Sequence, residues 1–393
     1  MYGSCENRGW HYGWQDDTAT GGGPLLAEAS ELCAQLRHNN VLLIGDSLSF
    51  QFYESWRARL RQERYAHGPA AGNTFCNTRG TCEGPAPSLC AGHCAVKTND
   101  YAQHSSHFSV CDNGATLFSA EAFRWVLDVN SFSASDPRAA VCARKIRRSP
   151  SDFGLELIPR SHVASMLAVA RRPTHTPLGT RPTVRRLVVV YNQMAHIHYF
   201  ITLVQQCYAA EMQMGGSGTT DSRTASVDDE SATSAAVRDV LRYWAGDQAR
   251  WARLLANLTA DDPSTDVFLR TSPPAADTFC AKSAGASRTP IDASALAHGV
   301  MTGRGEYSHQ YVYWMNDMMR SAFRAQGHGV IDVETMLGVR VDAYPCSKDG
   351  AGDKLHFCQP GPVDWALDVM VRQISRGATS ISAQHAARGA GRT

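Results

Sequence analysis

The segment Val41-Leu42-Leu43-Ile44-Gly45-Asp46-Ser47-Leu48-Ser49 decides how the chain folds. Four consecutive aliphatic residues ending at a glycine read as a short strand buried on both faces. Gly45 permits a tight turn, and Asp46 and Ser47 are residue types that open helices by accepting backbone N–H bonds. Beyond them Phe52, Trp56 and Leu60 recur on one helical face, which predicts a helix near Ser49–Glu63. The unit is strand, turn, helix, with a serine where the helix begins.

Outward from this unit the pattern repeats. Leu187-Val188-Val189-Val190-Tyr191 is a second buried strand; it ends at Asn192, ahead of a helix containing His196, His198 and Tyr199. Asp266–Arg270 and Gly329–Val333 read as further strands, and Ala115–Ser119 and Phe123–Val129 as strand material. Helices are expected at Ser161–Ala170, Ser234–Leu258, Gln310–Gln326 and Val363–Ser375. Strands alternating with helices predict an α/β fold: three α/β/α layers around a central, mostly parallel sheet, with cysteine-rich loop insertions. Sites in such sheets collect outside the carboxyl ends of the strands. Ser47 and Asn192 directly follow strands, and Asp353 and His356 lie on a later strand-to-helix loop, so all four are expected at one edge.

Composition sets the bounds. The chain has 393 residues, a net charge of +1 and 43% hydrophobic residues, enough for a sizeable core and with no global argument for nucleic-acid binding. The predicted organisation is an irregular segment over 1–31, one catalytic domain over 32–376 and a disordered tail over 377–393. Within the domain, 66–113 reads as a cysteine-rich insertion and 212–232 as a low-complexity loop. The basic residues between Arg138 and Arg186 read as a solvated loop in preference to an anion site. Twelve cysteines point to disulfides in an oxidising compartment, with zinc at Cys90-Ala-Gly-His93-Cys94 as the rival. No stretch reaches the ~20 apolar residues of a membrane span, and no signal-peptide pattern follows Met1. An N-terminal leader or anchor is thus expected to be missing from this sequence, with membrane attachment only through such an anchor. Asn257-Leu258-Thr259 is a glycosylation sequon compatible with a secretory route.

The chemistry rests on two distant pieces. Ser47 at a helix start gains from the helix dipole, and its backbone N–H can donate to a developing oxyanion; the bland alternative is that Asp46-Ser47 merely caps the helix. Near the C-terminus Asp353-Lys354-Leu355-His356 places a carboxylate three residues before an imidazole, an arrangement that fixes the tautomer and stabilises the imidazolium, or else is an ordinary turn pair. Asn192 reads either as a strand-ending residue or as a second oxyanion donor. A metal enzyme built on His196-Ile197-His198 is a further reading, without a third ligand at suitable spacing.

Taken together, Gly45-Asp46-Ser47-Leu48-Ser49 and Asp353-x-x-His356 resemble the hallmarks of SGNH/GDSL-type hydrolases. The finer resemblance is to the PC-esterase branch, the plant trichome-birefringence-like polysaccharide O-acetyltransferases. Asp353-x-x-His356-x-Cys358-x-Pro360-Gly361-x-x-Asp364 is similar to their C-terminal signature, with Phe357 in place of the usual Trp. Ile331-Asp332-Val333 with Arg340-x-Asp342-Ala343-Tyr344-Pro345 resembles the preceding segment, and Arg270-Thr271-Ser272-Pro273 their Arg-Thr-x-Ser-Pro block with one residue absent. The resemblance spans about Leu32 to Ser375. It departs where Phe50 and Gln51 replace an arginine and an asparagine, where Gln193-Met194-Ala195-His196 replaces Thr-Gly-His-Trp, and in the absence of glycine from Ala115 to Ser149.

The resemblance implies an SGNH-like fold with Ser47 as nucleophile, His356 as base then acid, Asp353 as its orienting partner, and Ser47 N–H with Asn192 as oxyanion donors. It also implies a disulfide between Cys358 and Cys280. The expected activity is O-acetyl transfer to a cell-wall polysaccharide or glycan in the Golgi lumen or outside the cell. No tightly bound cofactor or metal is expected, an acetyl donor serves as co-substrate, and nucleic acid is not a partner. The alternatives are a carbohydrate acetylesterase with the same triad, and a sugar-binding protein without catalysis.

Overall fold

A computed structural model describes residues 32, 39–63, 75–76, 82–83, 105–110, 115–122, 124–171, 186–214, 225–274, 309–340, 357 and 362–374. In chain order the elements are β1 (Asn39–Gly45), α1 (Ser47–Glu63), β2 (Phe75–Cys76), β3 (Cys82–Glu83), β4 (Ser105–Val110), β5 (Ala115–Glu121) and β6 (Trp125–Val126). Then come α2 (Ala140–Arg148), β7 (Glu156–Leu157), α3 (Arg160–Arg171), β8 (Arg186–Asn192), α4 (Ile197–Met214) and α5 (Ala225–Thr259). The last are β9 (Thr265–Arg270), α6 (Val312–Arg324), β10 (Gly329–Ile331), α7 (Glu334–Gly338) and α8, a helix over 362–374.

The main sheet runs in the order β10-β9-β8-β1-β5-β4-β2-β3. Its first five strands are mutually parallel, and β4, β2 and β3 extend it antiparallel beyond β5. Numbered along the chain, the parallel strands lie across the sheet as 2-1-3-4-5, the doubly wound order whose direction reverses between β1 and β8. That switch point is where Gly45 pairs with Asn192. The predicted α/β architecture is the observed one.

Side chains alternate between two cores, as the strand period of two requires. Leu42, Ile44, Val189, Tyr191, Val267 and Leu269 face α2 to α6; Val41, Leu43, Val188, Val190, Phe268 and Ile331 face α1 and α8. Helices on both faces explain why these strands are apolar throughout instead of alternating with polar residues. On α1, Phe52 and Trp56 are buried as the helical spacing predicts.

Two expectations are corrected. The basic stretch is not simply a solvated loop: α2 forms within it, burying Cys142, Ala143 and Ile146 while its lysine and arginines line the outer face. The segment 212–232 is not a loop throughout. Helix α4 continues to Met214 and α5 begins at Ala225, leaving 215–224 outside the described residues. Its Ser, Thr and Asp content is weakly helical, but Met212, Ala232, Ala235 and Ala236 are buried, and packing overrides propensity. The insertion over 66–113 contributes β2, β3 and β4 to the sheet edge. The expected ends, residues 1–31 and 377–393, lie outside the described residues, as do Cys90, His93, Cys94, Cys280 and Cys358.

Helix α5 has a further consequence for the site. Tyr191, at the carboxyl end of β8, donates to Gln248 at 3.0 Å, so α5 reaches the sheet edge near that residue before descending to β9. At 1.5 Å per residue, the part of α5 preceding that point extends roughly 30 Å beyond the edge. Helix α4 packs along it through Phe200 on Tyr243 and through a Tyr208–Asp239 hydrogen bond of 3.0 Å. A helical hairpin therefore flanks the edge at which Ser47 emerges. Among the described residues no helix is long and apolar enough to cross a membrane.

Candidate active site at the switch point

The turn after β1 is shaped by one close approach. A Cβ on Gly45 would lie 2.2 Å from the carbonyl oxygen of Asn192 and 2.2 Å from Ser49 Oγ, so only glycine fits between the strands here. Asp46, fully buried, then accepts from Leu48 N–H at 3.0 Å through Oδ1, capping α1. Its other oxygen accepts from Met194 N–H at 3.1 Å and Ala195 N–H at 2.9 Å. Asp46 is thus both the helix cap foreseen from sequence and a clamp joining the two loops of the switch point, a role that no local pattern encodes. Ser47 follows it as the first residue of α1, partly exposed.

Asn192 arrives at the same edge, fully buried. Its amide nitrogen donates to the Arg270 carbonyl at 2.8 Å and to Ser272 Oγ at 2.7 Å, which uses both N–H groups to tie β8 to the end of β9. An oxyanion could take one of them only by displacing a bond, and the Ser272 hydroxyl is the partner able to turn away. Ser272 is fixed in turn by Asn316, whose side chain accepts from Ser272 N–H at 3.0 Å and donates to its carbonyl at 2.8 Å. Asn316 also donates to Glu334, which pairs with Arg320.

Arg270 is the residue that sequence reasoning placed in a motif without giving it a task. It is buried beneath α1, donating to Ser49 Oγ at 2.9 Å with its guanidinium 4.4 Å from the centre of the Phe52 ring. Burial pushes its pKa down to about 10, against the opposing attraction of Asp46. Among the described residues it has no carboxylate within ion-pair distance; its field reaches the turn that carries Ser47 through Ser49 and Asp46.

The C-terminal segment meets the same helix. Gln51 donates to the Phe357 carbonyl at 2.5 Å and accepts from Phe357 N–H at 3.2 Å, a two-bond pairing of a side-chain amide with the main chain. One turn further on, Ser55 donates to Asp364. Ser47, Gln51 and Ser55 are spaced by four and so share one stripe of α1. Gln51 therefore has a structural task, buried against Phe357. Asp353 and His356 themselves lie outside the described residues.

His198 is buried, with Nδ1 3.1 Å from the Ala195 carbonyl; His196 stacks on Tyr199 at 5.9 Å. Neither histidine joins a group of three potential metal ligands among the described residues. Cys142, Cys207 and Glu211 form such a group, but the two sulfurs are bonded to each other. No protein-family model and no curated protein matches this chain.

Proposed function

We propose that this chain is a serine acyltransferase moving an acetyl group from a donor co-substrate to a hydroxyl of a polysaccharide or glycan. Ser47 is the nucleophile, His356 the base and then the acid, and Asp353 the carboxylate that orients it. The observation that carries the reading is the stripe on α1: Gln51 and Ser55 hold Phe357 and Asp364 on the face that begins with Ser47. Phe357 follows His356 directly, and successive Cα atoms lie about 3.8 Å apart.

In this mechanism Ser47 Oγ bonds to the acetyl carbonyl carbon as its proton passes to His356, and the imidazolium is stabilised by Asp353. The oxyanion is received by Ser47 N–H, a donor of a kind typically worth ~3 kcal/mol, with Asn192 as the second donor once Ser272 turns away. Collapse expels the donor's leaving group, which takes the proton from His356. The acceptor hydroxyl then gives its proton to His356 and bonds to the acyl carbon, and as the C–O bond to Ser47 breaks, Ser47 Oγ takes that proton back from His356. If water is the acceptor, the same residues make the chain an acetylesterase. A secretory location, in the Golgi lumen or outside the cell, is supported by the Cys142–Cys207 disulfide and by the sequon asparagine Asn257, exposed near the end of α5.

A fluorophosphonate probe followed by peptide mapping tests the nucleophile. The expected label is on Ser47, lost in Ser47→Ala and in His356→Ala. Labelling of another serine, or of the Ser47→Ala protein, would overturn the assignment. Supplying radiolabelled acetyl ester with polymer then separates transferase from esterase by label in polymer or in free acetate.

A further inference from the structure

Helices α5 and α6 pack side by side, and between the overhanging part of α5 and the first turns of α6 runs a groove of about 610 Å³. Trp314, which lines it, stands two residues before Asn316, the side chain that holds Ser272 beyond β9. The groove therefore opens beside the carboxyl edge of the sheet. Leu241, Tyr311 and Met318 make most of the remaining lining apolar. Trp314 is 43% exposed and no ring packs on it among the described residues, whereas Trp56, Trp125, Trp244, Trp251 and Trp365 are all buried. A large ring left open in a concave, apolar surface marks a contact that a partner completes. The rim is cationic: Arg238 and Arg242, four residues apart and so neighbours on α5, both border the groove, and no acidic side chain lines it among the described residues. Arg238 donates to the neutral Ser135 hydroxyl at 3.0 Å and pairs with no carboxylate among the described residues. Arg242 reaches Oδ1 of the buried Asp239 at 3.5 Å through one nitrogen, the other oxygen of that acid accepting from Ser135 and Tyr208.

We infer that this groove binds an organic anion with a flat aromatic body, its ring against Trp314 and its carboxylate or phosphate on Arg238 and Arg242. The charges select the class. A cation would meet two arginines and no acid. A neutral ring would leave both guanidinium groups to water, whereas carboxylate and phosphate oxygens match their paired N–H geometry. An alkyl anion would satisfy the arginines but forgo the stacking that an exposed indole offers. The volume falls within the range of ligand sites, about 300–1,000 Å³, whose lining is likewise mostly apolar with a few placed polar groups. The inference does not depend on the chemistry at Ser47: it gives the chain a second ligand, held by helices of the opposite face from α1 and α8.

The test is isothermal titration of the full-length protein with probes that separate ring from charge: 2-naphthoate, 2-naphthylmethanol, octanoate and inorganic phosphate. 2-Naphthoate is expected to bind about tenfold more tightly than each of the other three, and to weaken as NaCl is raised. Trp314→Ala should weaken 2-naphthoate about tenfold and Trp314→Phe less, because a ring remains. Arg238→Gln should weaken 2-naphthoate while leaving 2-naphthylmethanol unchanged. Both positions are exposed, so the melting temperature should stay close to that of wild type and the losses report on binding. AMP distinguishes two sources of such a ligand: tighter binding of AMP than of 2-naphthoate assigns a nucleotide, weaker binding an aryl acid, and each supports the inference. It is overturned if neither aromatic anion binds, if 2-naphthylmethanol, octanoate or phosphate binds as tightly, or if Trp314→Ala and Arg238→Gln both bind 2-naphthoate like wild type. A dimeric wild type made monomeric by Trp314→Ala would overturn it too, since the groove would then be an interface between two copies of the chain.

Discussion

At the scale of single residues, two positions at the site edge carry costs that can be measured. Gly45→Ala would put a Cβ 2.2 Å from a main-chain oxygen that cannot swing aside, since Asn192 pairs with Gly45 across β1 and β8 and its side chain is tied to the Arg270 carbonyl. Forcing the strands apart is expected to destabilise the protein by about 3 kcal/mol or more, read as a shift of the urea midpoint. A midpoint within experimental error of wild type would mean that β1 and β8 separate without cost. Asp247 gives a pH dependence. Burial pushes its pKa up to about 6, only partly offset by Arg250 and Leu127 N–H. An acid whose folded pKa is raised binds more protons folded than unfolded between about pH 4 and 6, so its contribution to stability falls as pH rises through that window. The penalty is fully present above about pH 6, on the order of 2–3 kcal/mol at most. Denaturant curves for wild type and Asp247→Asn should converge toward pH 4 and diverge in favour of the variant toward pH 7. Parallel curves across that range would remove the buried-acid account.

At the scale of elements, α1 is the piece on which the two ends of the chain meet. Its apolar face packs Phe52 and Trp56 into the core shared with α8, and its polar stripe holds Phe357 and Asp364. Gln51→Leu keeps the helix and much of the volume but removes both bonds to the Phe357 main chain. The expected cost is about 1–3 kcal/mol, since a buried N–H and carbonyl lose their partners. The rate of fluorophosphonate labelling at Ser47 should fall with it, because the tether of the His356 segment is gone. A lowered denaturation midpoint without any change in labelling rate would separate the packing role of Gln51 from the site. The pairing could not be read from the sequence: 306 residues intervene, and a glutamine one turn into a helix looks like any solvated position.

At the scale of the whole molecule, Cys142–Cys207 staples α2 to α4 on the face opposite α1 and α8, closing 65 residues of separation. In the chain-entropy account a loop of that length contributes about 4 kcal/mol, so the double variant Cys142→Ala and Cys207→Ala should lose ~2–4 kcal/mol. An equal loss on adding reductant to wild type would assign the effect to the bridge; no change under reductant would assign it to packing of the two sulfurs. The sequence by itself determined the strand–helix alternation, because aliphatic runs bounded by glycine and one-faced helical stripes are local signals. It also determined that Ser47 and Asn192 leave strands at the same edge, because a parallel sheet directs every such turn to one edge; that their strands are neighbours was not legible. Tertiary structure alone decided the rest. The buried clamp of Asp46 on Met194 and Ala195, the task of Gln51, the lodging of Arg270 beneath α1, and the burial of Asp247 against Leu127 N–H all depend on partners brought together by packing. Side chains of the same type carry no mark in the sequence of whether they will meet water or each other.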